Sequence, residues 1–144
     1  MISYDPKDEV RYRKELSEGF LREAERAFQL SDWRGTVANS QLASENAAKA
    51  LIAIFRIPSW SHDPSDELLD IRCNMPEELQ GMVEELADIV RELAPEHGRT
   101  TYGEPALGLT PWDLYSKEDA ERALGLARKA VVIMREVLKD MLHL

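Results

Sequence analysis

Helically spaced apolar residues constrain this chain more than any other feature. Leu79, Met82, Val83, Leu86, Ile89, Val90 and Leu93 recur every three or four positions, an a/d pattern that lies on one stripe of an α-helix. A second stripe runs through Ala120, Ala123, Leu124, Ala127, Ala130, Val131, Met134, Val137, Leu138 and Met141. Leu16, Phe20, Ala24, Ala27 and Phe28 form a third. No alternation of apolar and polar residues marks a strand. Stripes of this kind must cover one another, so the expected fold is all-α: an antiparallel four-helix bundle in one domain spanning residues 1–144.

Punctuation residues set the boundaries. Asp5-Pro6 is an N-cap followed by a first-turn proline and opens a helix near 6–30. Ser31 or Asp32 caps a second helix near 33–56, whose Ala-rich tract from Ser40 to Phe55 favours helix. Pro58 closes it. Asp63-Pro64 repeats the opening signal and predicts a short extra helix near 64–72. A third long helix runs near 76–93, and a capping box at Ser116 and Asp119 starts the last, near 116–142. Residues 94–115 show no helical period and read as a long loop. They carry His97, Arg99, Tyr102, Trp112 and Tyr115, too aromatic a set for a disordered linker.

Charge and cysteine content narrow the function. The formal net charge is −9, which opposes loose nucleic-acid binding and leaves room only for a small local basic site. Cys73 is the single cysteine, so no internal disulfide forms, in keeping with a reducing compartment. The N-terminal MISYDPKDEV lacks a basic stretch followed by an apolar run, and no apolar run is long enough to span a bilayer. A cytoplasmic protein with no membrane association is expected.

Several side chains can carry chemistry. Five residues separate Arg91 from His97. RNA cleavage needs proton transfer at the 2′-hydroxyl and positive charge on the phosphate. Histidine supplies the first near neutral pH and arginine the second, without a metal. The plain alternative is a surface arginine at a helix C-terminus and a histidine in a loop. Glu45 falls in the series Ala38, Gln41, Glu45, Ala48, Ile52 and Phe55, so it faces inward, paired with Lys49 or with an arginine of another helix, or else forms a half-exposed ion pair with Lys49. His62 with Asp63 and Asp66 offers a metal set. The simpler account makes Asp63 a helix cap and His62 a residue at the bundle end, and no metal or cofactor is expected. Arg99, Tyr102, Arg91 and His97 together make the best local anion site, with Tyr102 or Trp112 able to stack on a base. The small residues Ala120, Ala123, Ala127 and Ala130, with the aromatics of the long loop, suggest a homodimer interface.

The tract Ser40-Gln-Leu-Ala-Ser-Glu-Asn-Ala-Ala-Lys-Ala-Leu51 resembles the second helix of HEPN domains. The resemblance continues in order through Ile57-Pro58-Ser59-Trp60-Ser61-His62-Asp63, Leu68-Leu69, the loop His97-Gly-Arg99-Thr-Thr-Tyr102-Gly, and Tyr115-Ser-Lys-Glu-Asp-Ala120. It implies a helical bundle, homodimerisation and pairing with a minimal nucleotidyltransferase, as in toxin–antitoxin-like pairs. Many HEPN members are metal-independent RNases that use an arginine, four to six residues, then a histidine, a spacing Arg91 and His97 meet. Two departures stand out. Glu92 replaces the polar residue, often Asn, that follows the arginine, and Arg99 occupies the place of a tyrosine found two residues past the histidine in some members. The expected function is therefore a dimeric binding module for a nucleotidyltransferase, a nucleotide or another small ligand. The alternative is an RNase toxin using Arg91 and His97.

Overall fold

The computed structural model describes residues 5–144. Residues 1–4, part of the N-terminal stretch read above, lie outside the described residues. The described chain is all-α. Its helices are α1 (Pro6–Gln29), α2 (Trp33–Ile52), α3 (Ser65–Arg72), α4 (Glu77–Leu93), α5 (Glu96–Tyr102), α6 (Pro111–Leu114) and α7 (Lys117–Leu142), with a 3-10 turn at Pro105–Leu107. Among the described residues no helix is long and apolar enough to cross a membrane.

The caps form as their chemistry dictates. Asp5 accepts from the Lys7 N–H at 2.9 Å, and Asp32 accepts from the Gly35 N–H at 2.9 Å. Ser116 and Asp119 make a reciprocal capping box at the start of α7. Two boundaries shift. α2 ends at Ile52 rather than 56, because its last turn tightens: Ile54 and Phe55 donate to the carbonyls of Leu51 and Ile52, three residues back. Pro64 is the N-cap of α3 rather than its first residue, while Asp63 still accepts from the Ser65 N–H.

α2 is the axis of the structure. It packs against α1, α7, α4, α5 and α3, and its buried residues run around its whole circumference. Alanines at 43, 47, 48 and 50 let those neighbours approach closely, and Leu51 and Ile52 fill the lower core. The α4 stripe is buried as spaced, with Met82 alone half-buried. α7 buries its entire stripe except the half-buried Met141. Ala120, Ala123, Ala127 and Ala130 are at most 4% exposed within the chain itself. They are spent on internal helix packing and are not available to a second copy. α1 contributes a seven-residue rhythm of Val10, Ser17 and Ala24, with Ser17 donating to the Ala43 carbonyl at 2.7 Å.

Residues 94–115 are not the unstructured loop the missing periodicity predicts. α5, the 3-10 turn, an isolated bridge between Glu104 and Leu109, and α6 occupy them. α5 is seven residues long, too short to display a period, and holds Gly98, Thr100 and Thr101, which are poor helix formers. Tertiary bonds stabilise it: Arg34 donates to the Thr100 carbonyl at 2.9 Å, and Arg99 is held between Glu96 at 2.6 Å and Glu104 at 2.7 Å. Gly103 turns the chain out of α5 at φ +71°, and a Cβ there would stand 2.2 Å from the Leu109 carbonyl oxygen. Gly103→Ala is expected to lower stability by about 1–3 kcal/mol in urea unfolding. Gly125→Ala, on the open face of α7, should leave it unchanged or raise it.

Candidate functional site

α2 carries a row of long polar side chains on a helix otherwise rich in small residues. Gln41, Glu45 and Lys49 stand one turn apart and are all at most 5% exposed. Such burial is costly unless every group is paired. Lys49 Nζ donates to Glu45 Oε2 at 3.2 Å, and Gln41 Nε2 donates to Glu45 Oε1 at 3.0 Å. The inward-facing, Lys49-paired alternative for Glu45 is the one that holds.

Two histidines from different segments close the row. His62, in the connection between α2 and α3, places Nδ1 3.0 Å from Glu45 Oε1. His97, in α5, places Nδ1 3.0 Å from Gln41 Oε1. The two rings stack with centroids 3.5 Å apart and planes 17° from parallel. The His62 side chain is 55% exposed and His97 is half-buried, so the pair opens the buried row to solvent.

Hydrogen-bond logic fixes both tautomers. A carboxylate only accepts, so the Gln41 atom facing Glu45 is its NH2 group and the atom facing His97 is its carbonyl. His97 Nδ1 therefore carries the proton, and its Nε2 keeps a lone pair when the ring is neutral. His62 Nδ1 donates to Glu45 by the same reasoning, and its Nε2 keeps a lone pair whenever that ring is neutral. Burial holds the His97 imidazole below the usual histidine value; His62 and Lys49 push the same way, and Glu45 opposes them. Two neutral imidazoles can share one stack, whereas two imidazoliums would repel.

The other residues singled out in the sequence lie in different settings. Arg91 Nη2 bonds Asp66 Oδ1 at 2.9 Å in an exposed pair. Asp63 bonds the backbone of Ser65, so neither aspartate of the His62-Asp63-Asp66 set turns to His62. Arg99 is engaged by Glu96 and Glu104 and lies over the Tyr115 ring. The Tyr115 hydroxyl bonds Glu96, and burial together with that carboxylate raises the phenol above its ordinary value. Tyr102 is 74% exposed, Trp60 94% and Trp112 75%. Arg34 lies over the Trp112 ring.

A cavity of about 300 Å³ lies between α4, α5, α6 and α7, lined by Leu93, Glu96, Arg99, Tyr115, Arg122 and Leu126 among others. Its arginines are already bonded, Arg99 to Glu96 and Glu104 and Arg122 to Glu92. The histidine pair is not among its lining residues. The histidine pair, with the His62 side chain 55% exposed, lies apart from that cavity. Gln41 is the member of this cluster that sequence reasoning did not single out. Its signal was present, since three polar residues at four-residue spacing in an Ala-rich helix mark a buried polar ladder. The meeting of His62 with His97, 35 positions apart in the chain, had no such signal.

A helical chain built on this α2 row and its two histidines defines a small all-α module with a polar site at one edge of the core. The HEPN domain family matches residues 10–137, and the chain belongs to that family. Among solved structures it is similar to the protein TT1696 from Thermus thermophilus, at 27% identity and a TM-score of 0.67, over 90% of this chain and 98% of that one. No curated protein matches the chain.

The buried row makes its own forecast. Lys49→Met leaves the Glu45 carboxylate without its cation and is expected to cost about 3–5 kcal/mol in urea unfolding. The double variant Glu45→Leu with Lys49→Met should recover most of that loss, because it removes both charges together.

Proposed function

We propose that this HEPN protein is a binding module that takes a nucleotide or an RNA end at the His62–His97 edge of the α2 row. The observation that carries this is the stacked imidazole pair, held in register by Gln41 and Glu45, with the His62 side chain 55% exposed. A fold needing only stability gains little from burying a glutamate and a lysine and then leading them outward through two imidazoles. A lone pair on Nε2 of either ring can accept from a base N–H or a ribose hydroxyl, and Trp60, two positions before His62, supplies a ring face. Arg99 and Tyr102 stand on the helix that carries His97, Arg99 already bonded to Glu96 and Glu104 and Tyr102 exposed. The described chain acts as one unit in this role, in the cytoplasm. Exposed Trp60, Tyr102, Leu107 and Trp112 give apolar surface for a second copy of the chain, so a homodimer is expected, with a minimal nucleotidyltransferase as the partner the family association suggests.

A second reading makes the same edge an RNase centre, with His97 as acid/base and Arg91 on the scissile phosphate. The tautomer of His97 favours it, since Nε2 is the nitrogen able to accept a proton. Arg91 would exchange Asp66 for phosphate, and an exposed pair of that kind contributes only about 0–1 kcal/mol, so the exchange is cheap.

Nucleotides and a short single-stranded RNA, titrated with EDTA present, test both. Binding should weaken about tenfold or more in His62→Ala and His97→Ala, with the melting temperature nearly unchanged, and Arg99→Ala should weaken it less. Cleavage that disappears in both His97→Ala and Arg91→Ala selects the RNase reading. Wild type that neither binds nor cuts, with Arg99→Ala lowering only the melting temperature, sinks both.

A further inference from the structure

We propose that Glu45, His62 and His97 form a binding site for a divalent transition-metal ion of the zinc type. One ligand atom from each of the three side chains lies within 4.8 Å of the other two. The set is two imidazoles and one carboxylate, which suits zinc and its neighbours and does not suit magnesium or calcium, whose preference is for oxygen alone. It is also distinct from the His62-Asp63-Asp66 set, whose aspartates are committed elsewhere.

The geometry is close to what such an ion requires. Ligands about 2.0–2.1 Å from a tetrahedral ion stand roughly 3.3–3.4 Å from one another. His62 Nδ1 and Glu45 Oε1 are already 3.0 Å apart, so an ion replacing the proton between them displaces the two atoms by a few tenths of an ångström. The displaced proton moves to His62 Nε2 or to solvent. The gap to the third ligand closes by rotation of the His62 ring off the stack, which its 55% exposure permits. Three protein ligands leave a fourth position open toward solvent, the arrangement of a site that accepts water or a ligand oxygen.

The supporting residues fit as well. Metal ligands are normally oriented by a surrounding set of hydrogen bonds. Glu45 Oε2 is held by Lys49 and Oε1 by Gln41, which fixes the carboxylate before any ion arrives. Gln41 also holds His97. Three separate segments deliver these ligands, α2, the connection after it and α5, and a bound ion would tie them together.

The site stands on the placement of these side chains and does not require the nucleotide reading above. The two are separable, because one is measured in EDTA and the other without nucleotide. The experiment is calorimetric titration of the full-length chain, stripped with EDTA and dialysed, with Zn²⁺ alone. Wild type should bind one ion per chain and gain melting temperature. His62→Ala, whose exposed side chain makes misfolding no concern, should bind at least about tenfold more weakly, as should His97→Ala. Cys73→Ser should bind like wild type, and excess Mg²⁺ should not compete. No Zn²⁺ binding by wild type up to millimolar concentration overturns the site. So does a His62→Ala protein that binds like wild type, or a loss of binding caused by Cys73→Ser.

Discussion

The structure depends on one helix being buried on every side. α2 has no solvent face along most of its length, so each neighbour is placed by the side chains it must cover. Alanine dominates those contacts because a small side chain lets helix axes approach and loses little rotamer entropy on burial. The stripes of α4 and α7 are buried as spaced, whereas α1 buries Val10, Ser17, Ala24 and Ala27 and leaves Leu16, Phe20 and Phe28 of its expected stripe half-buried. The helices that depart from this plan, α3, α5 and α6, are short, and they sit where α2 would otherwise meet water at its edge.

A helix buried all round would normally exclude ionised side chains. Glu45 and Lys49 are accommodated because each satisfies the other and because Gln41 completes the carboxylate's bonds. The consequence reaches further than stability. Gln41 has one amide, and Glu45 takes its NH2 side, so its carbonyl is committed to His97. A purely internal requirement therefore sets the tautomer of a side chain that faces solvent. The binding and metal coordination proposed for this edge would draw on that arrangement.

The segment between α4 and α7 shows the opposite balance. Local propensity for helix in α5 is weak, yet α5 is the element that delivers His97 to the row. Arg34, Glu104 and Tyr115 hold it from outside, and Gly103 allows the chain to leave at an angle open to no other residue without strain. Arg99 is consumed in this work, which explains why an arginine that stands out in the sequence as an anion contact is bonded to two carboxylates in the structure.

The order of residues alone specifies the all-α class, the four long helices, most of their caps, the core stripes of α4 and α7 and the HEPN resemblance, and it leaves Glu45 between an inward and a half-exposed setting. These are written in local period and punctuation, which a chain displays without being folded. Folding was needed to bring His62 onto His97, to turn Arg91 to Asp66 and His97 to Gln41, and to face the alanines of α7 into the interior of the same chain. The polar contacts among these join residues 25 and 56 positions apart, and at such separations sequence spacing carries no direction. They are set by which side chains remain unsatisfied when the helices close on α2, and that is known only once they have closed.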